Sequence, residues 1–176
     1  MAQNKIPQAE FDAKIAIVSD MNWARLAMAV DCEGTIMIAK SHVKTGRKTP
    51  QYVLTLVVAN TDPRLICWLN DNFGGHSYVR QFATAGSVLS RQCGVINRKD
   101  VMSWRQFEER AAEIIRHIMP YMIIKREQAE IALAYREIRK SGSKGRKVTA
   151  DDLTVRESLR QSMCSLNSGN WDRQEK

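Results

Sequence analysis

The string LAMAVDCEGTI, Leu26 to Ile36, sets two carboxylates, Asp31 and Glu33, one residue apart at the end of an apolar run and just ahead of Gly34. The residues before them, MNWARLAMAV, read as a helix that Ser19 or Asp20 can cap and that Gly34 stops by supplying a left-handed C-terminal turn. Both acids then fall where a helix already presents unpaired carbonyls and the negative end of its dipole. Negative side chains are unfavourable there, and a purely structural helix is expected to carry Lys or Arg instead. A divalent cation that neutralises carboxylate and carbonyl oxygens together makes sense of the arrangement; solvated carboxylates at a helix end are the alternative.

A second group of residues suits phosphate and base-edge contacts. Lys40, His42, Lys44, Arg47 and Lys48 lie in and around the turn KTGRKTP, and Tyr78, Arg80 and Arg91 follow in a later segment of strand character. Two-stranded ribbons fit the major groove of duplex DNA, where Arg, Lys, Gln and Tyr read base edges and hold phosphates. The competing reading is a solvated charged edge that blocks strand aggregation.

The elements that must position these groups follow from periodicity. Phe11, Ile15 and Val18 predict a short amphipathic helix ahead of the acidic one, TIMIAKSHV and QYVLTLVVAN an antiparallel hairpin, and DPRLICWLNDNF a helix opened near Pro63 and ended by Gly74-Gly75. HSYVRQF and SVLSRQCGVI are expected to form a second hairpin joined through Ala85 and Gly86. DVMSWRQFEERAAEIIRHIM, with Trp104, Phe107, Ala111, Ile114 and Ile118 at helical spacing, predicts a helix interrupted by Pro120, and YMIIKREQAEIALAYREIRK another. SGSKGRK reads as a basic connector, and Thr149 with Asp152 as a capping box for a last helix through about Leu166. The expected class is α+β, with four antiparallel strands carrying helices on one side and leaving the other for solvent or a partner. One domain over 1–176 is expected, with the core in 19–140 and the connector and last helix in 141–176.

Composition agrees with a polyanionic partner. The 176 residues carry 27 Lys and Arg against 19 Asp and Glu, a formal charge of +8, and are 44% apolar, enough for a sizeable core. The four cysteines (Cys32, Cys67, Cys93, Cys164) and three histidines show neither zinc-finger nor disulfide-framework spacing. No apolar run reaches the length of a bilayer span and the first residues lack a signal-peptide core, so an intracellular, soluble protein without a membrane partner is expected.

The string from Leu26 to Ile36 resembles the LAGLIDADG motif of homing endonucleases, with Leu26, Ala27, Asp31 and Gly34 matching and Ala29, Val30 and Glu33 varied conservatively. The resemblance extends to a strand ending VVANTD before a helix that closes on FGG, and to PYMIIKREQ, Pro120 to Gln128, which is similar to the family segment bearing its active-site lysine. Together these landmarks cover about residues 20 to 140 in the family's element order αββαββα.

This resemblance implies a site-specific double-stranded DNA endonuclease that hydrolyses phosphodiesters with Mg2+ or another divalent cation such as Mn2+. It implies that Glu33 holds the metal with the backbone carbonyl of Cys32 as co-ligand, that Lys125 stabilises charge or orders the attacking water, that Asn60 positions solvent, and that Arg64 contacts the active site or a phosphate. Asp31 joins Glu33, Lys125 and Asn60 in the implied catalytic set. With one motif per chain, a homodimer is implied, its motif helices meeting at a twofold axis through Ala24, Ala27 and Met28 and its target a long pseudo-palindromic duplex.

Two departures mark this chain. Met28 stands where the motif has glycine for close helix approach, with Ala24, Ala27 and Ala29 as the alternative small surface, and Glu33 is one methylene longer than aspartate. A binding-only derivative, either a transcriptional regulator or an RNA-splicing maturase, is the rival reading.

Overall fold

In a computed structural model the described residues are 6–41, 49–80, 100–141 and 148–168. Among them, two helices, α1 (Gln8–Ala16) and α2 (Asp20–Glu33), lead into β1 (Gly34–Ser41) and β2 (Gln51–Asn60). Helix α3 (Pro63–Phe73), strands β3 (His76–Arg80) and β4 (Val101–Phe107), and helices α4 (Glu108–Ile118), α5 (Arg126–Ser141) and α6 (Ala150–Asn167) follow, with a 3-10 turn at Met119–Tyr121. The class is α+β: one four-stranded antiparallel sheet in the order β1-β2-β4-β3, and six helices.

Register sorts the side chains into two faces. Ile36 opposes Leu56, Ile38 opposes Leu54, and Val58 opposes Trp104; these are buried in one core with Trp23, Leu26, Ala27 and Val30 of α2 and Ile114, Ile115 and Ile118 of α4. The alternate positions form the other face, where Thr35 aligns with Val57, Val57 with Arg105, and Arg105 with His76. Tyr78 stands exposed on this face and Arg105 half-buried. This is the period-two segregation expected of a sheet carrying its helices on one side.

The element boundaries have local causes. Ser19 accepts from the amide of Asn22 at the start of α2, Asp62 from that of Arg64 ahead of Pro63 at the start of α3, and Thr149 and Asp152 form the reciprocal capping box of α6. Gly74 and Gly75 both have positive φ, and a Cβ at Gly75 would meet the side chains of Trp104 and Gln106 at 2.7 Å. Gly34 corrects the expected left-handed turn: its φ of −97° and ψ of 169° are extended. The need for glycine is steric, because a Cβ there would lie 2.6 Å from the Cα of Val30.

Two further expectations are corrected. The segment 101–107 is strand, and the helix begins only at Glu108. Trp104, Phe107 and Ala111 mimic helical spacing, while the inward row Met102, Trp104, Gln106 hides its alternation behind a polar residue. Buried Gln106 is tolerated because its amide donates to the carbonyls of Phe73 and Gly74 at 3.1 and 3.0 Å. Likewise α5 starts at Arg126 rather than Tyr121, for a reason that belongs to the site. The expected strand SVLSRQCGVI lies outside the described residues.

Helix α6 is tied across β1. Glu157 accepts from the Tyr52 hydroxyl at 2.7 Å, pairs with Lys40 at 3.0 Å and with Arg160 at 2.7 Å, and Asn167 donates to the carbonyl of Ile36 at 2.9 Å. Hydrogen bonds from Arg160, Tyr52 and Lys40 hold the Glu157 carboxyl down to about 2 from its ordinary 4.5. The stabilisation it lends is complete above pH 4.5 and is lost as pH falls towards about 2. The difference in melting temperature between wild type and Glu157→Gln therefore shrinks across that interval in a pH series. Gly34→Ala is expected to cost about 1–3 kcal/mol in urea unfolding, since its methyl meets backbone that cannot yield.

Candidate active site at the end of the second helix

Asp31 is almost fully buried at the last turn of α2, and its carboxylate faces the approach to α5. The backbone amides of Ile123, Ile124 and Lys125 donate to it at 2.7, 3.3 and 2.9 Å. Unfavourable at the end of its own helix, the charge is stabilised at the N-terminus of another. Engagement of these amides also explains why the chain at 122–125 is not helical.

Lys125 completes the exchange in the opposite sense. Its ammonium donates to the carbonyls of Val30, at 2.9 Å, and Asp31. The cation that a helix C-terminus calls for thus comes from elsewhere in the chain. No metal is needed to explain Asp31, and this corrects the sequence-based argument: its carboxylate is turned inward onto three backbone amides.

Glu33 differs from Asp31. It is exposed at the junction of α2 and β1, and among the described residues no side chain hydrogen-bonds to or pairs with its carboxylate. Cys32 is also exposed, its thiol 3.6 Å from the Met28 sulfur. With the carbonyls of Val30 and Asp31 engaged by Lys125, the Glu33 carboxylate and the Cys32 carbonyl are oxygens at this helix end with no side-chain partner among the described residues. Hard oxygens of this kind suit Mg2+ or Mn2+. Among the described residues there is no group of three or more His, Cys, Asp or Glu able to hold a metal.

The other expected residues are placed as follows. Asn60 ends β2, two residues beyond the partner of Gly34, and its side-chain oxygen accepts from the Asp62 amide at 2.8 Å in a local turn. Arg64 is highly exposed and forks onto the Asp62 carboxylate with contacts of 3.0, 3.1 and 2.5 Å. Ala24 is half-exposed and Met28 52% exposed, but Ala27 is fully buried in the chain's own core and offers nothing to a partner. Lys40 is likewise corrected: the register puts it opposite Tyr52 on the helix side, paired with Glu157. Tyr78 is on the open face, and Arg80 is a β3 residue paired with Val101. His42, Lys44, Arg47, Lys48 and Arg91 lie outside the described residues.

Sequence reasoning missed Arg105, which the helical reading of 101–107 concealed. It sits in a central strand of the open face with its guanidinium 4.3 Å from the ring centre of Tyr78. Alternating the segment from buried Trp104 was the available signal.

Because the Asp31 carboxylate satisfies three amides at once, Asp31→Ala is expected to cost about 3 kcal/mol in urea unfolding, with Asp31→Asn falling between it and wild type.

No protein-family model matches the chain, and no curated protein matches it in sequence. Solved structures do. The homing endonuclease I-CvuI, in complex with DNA, superimposes with a TM-score of 0.64 at 17% identity, over 86% of this chain and 85% of that one. The archaeal intron-encoded homing endonuclease I-Vdi141I, complexed with DNA, gives 0.62 at 8% identity over 89% and 90%. The LAGLIDADG homing endonuclease I-SmaMI, bound to cleaved DNA, gives 0.59 at 14% identity over 91% of this chain and 53% of that one. At these identities the likeness speaks for architecture, and the architecture is plain: the chain has the fold of the LAGLIDADG homing endonucleases.

Proposed function

We propose that this protein is a site-specific double-stranded DNA endonuclease that acts as a homodimer and requires a divalent cation. The observation that carries the reading is the juxtaposition of an exposed Glu33 carboxylate, without a side-chain partner among the described residues, and a Lys125 ammonium anchored on the same helix end. Hydrolysis of a phosphodiester needs an activated water and neutralisation of charge on the phosphoryl and leaving oxygens. Glu33 and the Cys32 carbonyl would hold Mg2+ or Mn2+, which supplies charge neutralisation and an acidified water when bound. Lys125 contributes a positive charge fixed by the carbonyls of Val30 and Asp31, so it needs no reorganisation as negative charge develops. Asp31 orients Lys125 through its backbone. Asn60 stands at the same end of the sheet as a group able to order solvent, and Arg64 as an exposed cation for a phosphate. The open face, with Tyr78, takes the duplex, and Arg80 follows in the same strand.

Dimerisation would bring two such helix ends together. The outer face of α2 presents Met21, Ala24, Met28 and Cys32 at helical spacing, and Ile123 and Ile124 are exposed beside the Asp31 cage. That apolar surface suits a second copy, with Met28 filling the close-approach position through an adaptable side chain. The match over 85% of I-CvuI but 53% of I-SmaMI supports this chain being one half of a two-site assembly.

Duplex libraries incubated with the protein in Mg2+, Mn2+ or Ca2+ test the chemistry. A divalent-dependent double-strand cut lost in Glu33→Gln is expected, and Lys125→Met should lower its rate by about 10²–10³. Tight duplex binding without cleavage in any of these ions would leave a binding-only protein and overturn the nuclease. Light scattering should give a dimer for wild type and a monomer for Met28→Glu; a monomeric wild type, with and without DNA, would remove the twofold site.

A further inference from the structure

We infer that Arg105 is a specificity-determining residue of the open sheet face, reading a guanine in the major groove while stacked on Tyr78. The inference rests on the duplex-binding reading of that face. Arg105 belongs to β4, an interior strand flanked by β2 and β3, and its neighbours across the sheet are Val57 and His76. The same row begins at Thr35, two residues after Glu33, with Arg105 about 10 Å away along the sheet. A base pair contacted by Arg105 is therefore close to the helix end that bears the proposed chemistry.

The electrostatics of this arginine are those of a group waiting for an acceptor. Its Nε is buried without a hydrogen-bond partner, and among the described residues no group accepts from its terminal nitrogens. Burial pushes its pKa down, with no carboxylate to offset the cost. Arg110 reaches Gln8 and the carbonyl of Ile6, Arg116 pairs with Glu113, and Arg136 with Glu108 and Glu109; Arg156 shares a buried Nε without a partner but belongs to α6 and not to the open sheet face. The interaction that Arg105 does make is with the Tyr78 ring, its diagonal neighbour on the face. That contact stabilises the cation and fixes the plane of the guanidinium without using a donor.

A planar cation with Nε covered has its two terminal amino groups left to give. They match two acceptors side by side on one base edge, and in the major groove only guanine, through O6 and N7, offers that pair. Val57 and Thr35 beside it supply no competing charge. Acceptors on DNA would supply the partners that the Arg105 guanidinium lacks among the described residues.

The test is selection from a randomised duplex library with the full-length protein, comparing wild type, Arg105→Met and Arg105→Lys, together with their melting temperatures. Wild type should enrich a guanine once per half-site. Arg105→Met should lose that preference by about tenfold to a hundredfold while keeping preferences elsewhere, and should melt no lower than wild type; Arg105→Lys should retain guanine more weakly. An unchanged consensus for Arg105→Met, or a melting temperature lowered as for a structural cation, would overturn the assignment while leaving duplex recognition intact. Failure of wild type to enrich any duplex would overturn both this inference and the nuclease reading beneath it.

Discussion

The end of α2 and the start of α5 hold one another by an exchange of opposite groups. Asp31 gives a carboxylate to the amides before α5, and Lys125 returns an ammonium to the carbonyls of α2. Each helix terminus has unsatisfied backbone groups that on their own would have to face water. Here each is completed by a side chain of the other element, across 94 residues of sequence between Asp31 and Lys125. Everything proposed for the site depends on this clasp, because it fixes the lysine, leaves Glu33 unspent and sets the chain direction into β1.

The sheet translates that local arrangement into a surface. Gly34 lets the chain turn from helix to strand with no side chain between Val30 and β1, so the register of β1 starts immediately after Glu33. Across the sheet, alternation sends Ile36, Leu56 and Trp104 to the core and Thr35, Val57 and Arg105 to the open face. The junction of α4 with its strand is held in a related way: Glu108, in a left-handed backbone conformation, receives both Arg136 and Arg139 from α5. Charged pairs between helix ends, rather than apolar burial alone, therefore set how the helical layer sits on the sheet.

Much of this was legible in the sequence, and the exceptions share a cause. The acidic helix end, the glycine stops, the caps at Ser19 and Thr149 and the segment bearing Lys125 are local patterns, and the order of elements followed from them. The role of Asp31 was not legible, because its partners are backbone amides, which every residue has and no pattern marks. Lys40 looked like its neighbours in a cationic stretch, and only the pairing of β1 with β2 shows that it shares a face with Tyr52. Arg105 was hidden by apolar spacings that fit a helix as well as a strand, with Gln106 breaking the alternation that would have decided between them. Local periodicity gives the faces of an element; which face meets the core is settled by tertiary partners.

The strap formed by α6 bears on how the protein survives at high concentration. β1 is an edge strand, and an edge presents unpaired backbone groups to any other strand that approaches. Asn167 occupies the Ile36 carbonyl, and Glu157 draws the helix down through Lys40 and Tyr52. The last described helix is therefore a guard against edge-to-edge association, held by these polar contacts together with Met163, Leu153 and Leu159 packed on the core. Acid or high ionic strength that weakens the contacts of Glu157 would bare the strand that emerges from the proposed catalytic helix, so edge-to-edge association there would begin beside the site.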